Sequence, residues 1–139
     1  MVFGFDVQAA AITATAQRVQ DHPQVTLFQA SHENLSDHLP QEGKLAGAMF
    51  NLGYLPGGSR EIMTCQNTSI AALGQTLERL KIKGLVTLVL YPGHAGGDNE
   101  ATSVRAFAKN LGEEFMVAQY RRLNFDSPAP ELLVIERTR

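Results

Sequence analysis

Asn51-Leu52-Gly53-Tyr54, followed by Leu55-Pro56-Gly57-Gly58, is the stretch of this sequence best suited to chemistry. The Asn51 carboxamide oxygen and a neighbouring backbone carbonyl can accept N–H bonds from an exocyclic nitrogen. They would then aim its lone pair at an electrophilic methyl carbon, while the Tyr54 ring stacks on the attached base. Such a site works through orientation and proximity and needs no strong base. The competing reading is a turn built on Asn51 and Gly53 with Tyr54 packed over a sheet edge, and spacing alone favours it.

Three further positions carry candidate chemistry. Asp6 closes an apolar run at the N-terminus, and an acidic residue there can accept hydrogen bonds from ribose hydroxyls. It can equally cap the helix that starts near Val7, and the two roles are compatible. Ser31-His32 follows the next apolar run and could border an adenine ring. His94 follows the strongest apolar run and could approach a substrate from above a sheet. A lone loop histidine is more commonly plain solvated surface. The four histidines show no metal-ligand spacing. The single cysteine, Cys65, excludes an internal disulfide, fits a reducing compartment and has no neighbouring histidine to activate it.

The elements that must position these residues alternate. Val2–Phe5 reads as a strand ending at Asp6, Ala9–Val19 as a helix stopped by His22-Pro23, and Val25–Phe28 as a second strand. Ser31–Leu39 is a short helical crossing closed by Pro40, and Lys44–Asn51 is a third strand. Thr64 or Asn67 caps a helix with an apolar stripe at Ile70, Leu73, Leu77 and Leu80, ended by Gly84. Leu85–Tyr91 is apolar at odd and even positions, as in a strand buried on both faces in the middle of a parallel sheet. Asp98 caps a helix to about Leu111, with Val104, Phe107 and Leu111 inward. Phe115–Leu123 and Leu132–Arg137 are strands whose Pro-containing link has no room for a helix, so they pair antiparallel. The expected fold is an α/β, Rossmann-like doubly wound sheet, mostly parallel, with an antiparallel edge strand, in one domain over 1–139.

At 139 residues the chain can form one domain with a core. Its net charge of −2 gives no electrostatic argument for a nucleic-acid partner, and Arg121-Arg122 with Arg137 and Arg139 reads first as solvated surface. No run of 18 apolar residues and no basic-then-apolar leader is present, so a soluble, cytoplasmic protein with no membrane partner is expected. Neither a G-x-G-x-x-G nor a P-loop pattern occurs, which leaves a nicotinamide-dependent oxidoreductase resting on Asp6 alone.

Phe50-Asn51-Leu52-Gly53-Tyr54-Leu55-Pro56-Gly57-Gly58, then Thr64, then Tyr91-Pro92-Gly93-His94 with Gly96, Gly97 and Glu100, resemble the family of putative rRNA methylases. Phe5–Gln8 is similar to that family's second-strand acidic motif. These are class I S-adenosylmethionine-dependent methyltransferases, and members are associated with methylating the aminomethyl group of 5-aminomethyl-2-thiouridine at the tRNA wobble position. The resemblance covers essentially the whole chain and implies S-adenosylmethionine as cofactor, no metal, and RNA as partner, tRNA ahead of rRNA. It places Asp6 on the donor's ribose, Ser31 and His32 near its adenine, and Asn51, Leu52 and Gly53 around the donor. Asn51 and Tyr54 become the catalytic pair. Tyr54, Pro56, Gly57, Thr64, His94, Gly96 and Gly97 become substrate contacts. Family members begin with a further strand and helix bearing an Asp-x-T-x-G-N-G-like loop, and the resemblance implies that this chain starts after that unit, of roughly 30 residues. That strand would lie between the strand ending at Asp6 and the strand ending at Asn51. Without it, either those two strands pair directly or a second copy covers their edges as a homodimer.

Two functional classes follow. One is a donor-dependent RNA methyltransferase or a fragment of one. The alternative is a non-catalytic α/β fragment or binding module unable to hold the methyl donor.

Overall fold

The computed structural model describes residues 1–52, 66–93, 97–124 and 128–139. The strands are β1 (Val2–Asp6), β2 (Val25–Gln29), β3 (Leu45–Asn51), β4 (Leu80–Leu90), β5 (Phe115–Tyr120) and β6 (Glu131–Arg137). Helices α1 (Ala9–Arg18), α2 (Leu35–His38), α3 (Gln66–Arg79) and α4 (Gly97–Lys109) connect them, with a 3₁₀ turn at His32–Asn34 leading into α2. Strand-helix alternation up to α4 and a closing antiparallel pair match the expected architecture.

Among the described residues the strands form two sheets. β1 and β2 pair in parallel, and a four-stranded sheet runs in the order β3-β4-β6-β5. β3 and β4 are parallel, while β6 is antiparallel to both β4 and β5. The expected alternative of direct pairing between β1 and β3 is not observed. The two strands meet instead through a buried cluster of Leu35, Leu39 and Ala72, against which Phe3 and Phe5 of β1 and Leu45 and Phe50 of β3 all pack. Side chains, rather than ladder hydrogen bonds, join the sheets.

The main core lies under one face of the four-stranded sheet. Val86, Leu88 and Leu90 point from β4 towards Leu73 and Leu77 of α3 and Val104 and Ala108 of α4, with Leu133 and Ile135 alongside. The opposite face is more open. Leu85 is 47% exposed and Met49 is 90% exposed, so β4 is fully buried on one face only, contrary to the two-sided burial its apolar run implies. Thr87 and Val89 on that open face are half-buried. β4 is still central, but its neighbours are parallel on one side and antiparallel on the other.

Two helix boundaries depart from expectation. α3 stops at Arg79, and Gly84 lies inside β4. Leu80 pairs with Leu45, and the next partners are Gly47 and Leu85, so residues 81–84 are looped out of the ladder. Lys83 takes the left-handed conformation there, with φ of 64°. A Cβ on Gly84 would stand 2.7 Å from the Lys81 carbonyl oxygen, so glycine is required by close approach rather than by helix termination. Asn67 lies within α3 and does not cap it, and Thr64 lies outside the described residues. Asp98 lies within the first turn of α4, and its Oδ1 accepts from the Gly93 N–H at 2.9 Å.

Candidate methyl-donor site

The carboxyl ends of β1, β2 and β3 converge on one rim. Asp6 ends β1, and Asp6 pairs with Gln29 of β2. The Asp6 carbonyl accepts from the Ala30 N–H at 3.0 Å, tying the segment after β2 to the tip of β1. The Asp6 carboxylate accepts from the Gln8 N–H at 2.8 Å. This is an Asx-type turn, and the N-cap position itself belongs to Gln8. One carboxylate oxygen thus stabilises the turn into α1 while the group stays at the rim.

Ser31 caps the 3₁₀ turn, its Oγ accepting from the Glu33 N–H at 3.4 Å. Gln75 of α3 holds that turn in place from beneath. Its Nε2 donates to the Glu33 carbonyl at 2.6 Å, and its Oε1 accepts from the Ser36 N–H at 3.0 Å. His32 is thereby pushed against β3, with its ring edge-on to Phe50 at 6.3 Å between centroids. Its Nε2 is buried with no hydrogen-bond partner among the described residues. Burial pushes the His32 pKa below its ordinary 6.5, against the opposing pull of the Glu100, Glu33 and Asp6 carboxylates. A neutral imidazole with an unsatisfied ring nitrogen is suited to a polar heterocycle.

Asn51 ends β3 with its side chain exposed. The next residue turns the other way: Leu52 is 2% exposed within the core cluster, and its N–H donates to the Val89 carbonyl at 3.1 Å. Asn51 is therefore presented at the rim by an anchored neighbour. Asp6, Ser31, His32 and Asn51 are brought to one edge. Gly97 is buried as the first residue of α4. Gly53, Tyr54, Pro56, Gly57, Thr64, His94 and Gly96 lie outside the described residues.

Three contributors escape sequence reasoning: Gln75, Ser69 and Glu100 as a buried carboxylate. Ser69 Oγ donates to Glu100 Oε1 at 2.6 Å, with both residues buried. Glu100 falls within the family resemblance, but only the packing of α3 on α4 reveals its partner. Arg137 and Arg139 are engaged in structure. Arg137 Nη1 donates to the Leu80 carbonyl at 2.9 Å, and Arg139 pairs with Glu113. A cleft of about 480 Å³ between α4 and β5–β6 includes Arg105, which is paired with Glu131 at 2.9 Å. Its lining from α4, Arg105, Ala108 and Lys109, belongs to the later part of that helix, away from the rim at the helix start. Among the described residues no group of three or more metal-ligating side chains occurs, and no helix is long and apolar enough to cross a membrane.

Strand order, rim geometry and solved relatives together define a class I S-adenosylmethionine-dependent methyltransferase fold. A putative rRNA-methylase from Clostridium thermocellum superposes with a TM-score of 0.92 at 35% identity, covering 98% of this chain and 74% of that one. A putative methyltransferase from Streptococcus mutans in complex with SAH gives 0.88 at 32% identity, covering 98% and 75%. The model of the putative rRNA methylase family matches residues 2–136, and the chain belongs to that family. A chloroplastic tRNA (mnm(5)s(2)U34)-methyltransferase of Arabidopsis thaliana is 33% identical over 130 residues, which is 88% of this chain. The chain spans about half, 47%, of the length of that curated relative.

Proposed function

We propose that this chain is the methyl-donor and acceptor-positioning part of an S-adenosylmethionine-dependent RNA methyltransferase, N-methylating the aminomethyl group of a wobble uridine in tRNA. The observation that carries the reading is the meeting of Asp6, His32 and Asn51 at one sheet rim, with the buried His32 Nε2 lacking a partner among the described residues. The residues present fit the donor. Asp6 would take the ribose hydroxyls with its carboxylate, and Ser31 and His32 would border the adenine. Leu52 and Gly53 would contribute backbone around it.

Bound there, S-adenosylmethionine supplies a methyl carbon activated by a sulfonium. The chain's own part is to bind and orient. Asn51, with Tyr54 three residues on, would hold the acceptor nitrogen by accepting its N–H bonds and stacking on the base. The acceptor must arrive as a neutral amine, and the proton it sheds after transfer passes to water. No strong base is required of the protein, so its contribution is proximity and alignment. Pro56, Gly57, Thr64, His94, Gly96 and Gly97 are assigned to the acceptor entrance in the same reading. The relative named for tRNA favours tRNA over rRNA as partner. A homodimer and a cytoplasmic setting belong to the same proposal.

The test is methyl transfer from labelled donor to tRNA bearing 5-aminomethyl-2-thiouridine, compared with tRNA lacking the aminomethyl group and with rRNA. Transfer confined to the first supports the proposal. Transfer to rRNA alone overturns the tRNA assignment, and no donor binding at all leaves the non-catalytic module standing.

A further inference from the structure

We infer that Glu100 is a positioning residue: its hydrogen bond with Ser69 locks the Ser69 turn of α3 to the first turn of α4 and thereby fixes Leu52 and Asn51 at the end of β3. The lock stands on geometry alone; its catalytic consequence rests on the methyltransferase reading above.

Ser69 is 1% and Glu100 4% exposed. A carboxylate in the first turn of a helix is favoured by the helix dipole wherever it points, so the dipole accounts for an acidic residue there but not for its burial. Asp98, in the same turn, serves the dipole from an exposed position. Burying Glu100 removes its hydration, and the cost is offset only where partners hold the group in place. Ser69 Oγ, at 2.6 Å, is such a partner, at a charge-assisted distance.

The location gives the lock leverage. Ser69 lies in the first described turn of α3 (Gln66–Arg79) and Glu100 in the first turn of α4 (Gly97–Lys109). Leu52 is buried in one cluster with Leu73, one helical turn beyond Ser69, and Ala101, the residue after Glu100. Separating the two first turns would loosen the seat of Leu52 and shift its neighbour Asn51. Glu100 also bears on His32, being first among the carboxylates that oppose the loss of charge on that imidazole. A single residue thus touches the packing behind Asn51 and the field around His32, while contacting neither donor nor acceptor in this assignment.

The experiment compares S69A, E100A, the double variant and E100Q in the whole chain. S69A and E100A should each lower turnover about 10- to 100-fold, with affinity for S-adenosylhomocysteine changed less than about threefold. The double variant should match E100A, because the Ser69 contact is already lost in that single variant. E100Q keeps an oxygen that can accept from Ser69 and should recover turnover to within about threefold of the unaltered chain. Amide exchange gives a readout independent of activity: both single variants should speed exchange at the starts of α3 and α4 about tenfold, with the Val86 and Leu88 amides unaffected. S69A removes only a hydroxyl, so it keeps the test open should E100A fail to fold. Unchanged exchange at both helix starts would overturn the lock, as would additive losses in the double variant or a Gln variant no better than Ala. If the unaltered chain transfers no methyl group, the functional reading falls by itself, and the exchange measurement still decides the lock.

Discussion

His32 stands perpendicular to Phe50, its ring at 89° to the phenyl plane and 6.3 Å away between centroids. This contact joins the turn after β2 to the end of β3 and sets His32 against the strand that ends at Asn51. It also removes His32 from water, which is the first cause of its lowered pKa.

That burial makes stability depend on pH with a definite sign. The folded pKa of His32 lies below 6.5, so the unfolded chain binds more protons in the interval between the two values. Native stability is full above about pH 6.5, falls as pH drops through that interval, and levels below the folded pKa. Urea midpoints between pH 5 and 8 should show this slope for the native chain and a shallower one for His32→Asn. In E100Q the His32 imidazole should titrate lower still by NMR, since an opposing negative charge is gone.

Asp6 has a structural role, and substitution can separate it from the binding role proposed for it. Asp6→Ala removes the acceptor of the Gln8 N–H and should cost about 1 kcal/mol of stability. Asp6→Asn retains an acceptor oxygen and should fold nearly as well, yet lose about tenfold in S-adenosylhomocysteine affinity by giving up the charged partner of ribose. Calorimetry with denaturant titration reads both effects. Equal donor affinity for Asp6→Asn and the native chain would remove Asp6 from the site.

The two faces of the four-stranded sheet should respond differently to truncation. Leu73 is fully buried, and Leu73→Ala should destabilise the chain by about 2–5 kcal/mol. Met49→Ala, at a position 90% exposed, should change stability by less than about 0.5 kcal/mol. Matching losses from the two variants in urea unfolding would contradict the one-sided core.

Gly47 marks a close approach in the β3–β4 ladder. A Cβ there would lie 2.7 Å from the Leu85 carbonyl oxygen, which belongs to backbone and cannot swing aside. Gly47→Ala should destabilise the chain by about 1–3 kcal/mol through forced strand separation. An unchanged unfolding midpoint would mean that the register break beside Gly47 relaxes freely.

The strands were legible because each is a short apolar run ending at turn chemistry: Asp6, Asn51 and Pro92 mark their ends in the residue types themselves. The end of α3 was not legible. Its apolar stripe continues through Leu80, but Leu80 is taken by its ladder partner Leu45, so pairing across space overrides local periodicity. The two-sided burial expected of β4 fails because α3 and α4 both pack on its Val86–Leu88–Leu90 face. Asp6 and Asn51 could be singled out by position at strand ends. The Ser69–Glu100 contact could not, since it links residues 31 apart in the chain through the packing of two helices. Gln75 is similar: a glutamine in mid-helix carries no signal that its amide will clamp a turn 42 residues earlier.

The most direct test of the donor site is a titration with S-adenosylhomocysteine followed at the His32 imidazole by NMR and in parallel by calorimetry. The account predicts saturable binding with a dissociation constant below about 1 mM, a shift of the His32 resonances that tracks saturation, and weaker binding in Asp6→Asn. Saturable binding that leaves His32 unmoved and is indifferent to Asp6, or no binding at all, would contradict it.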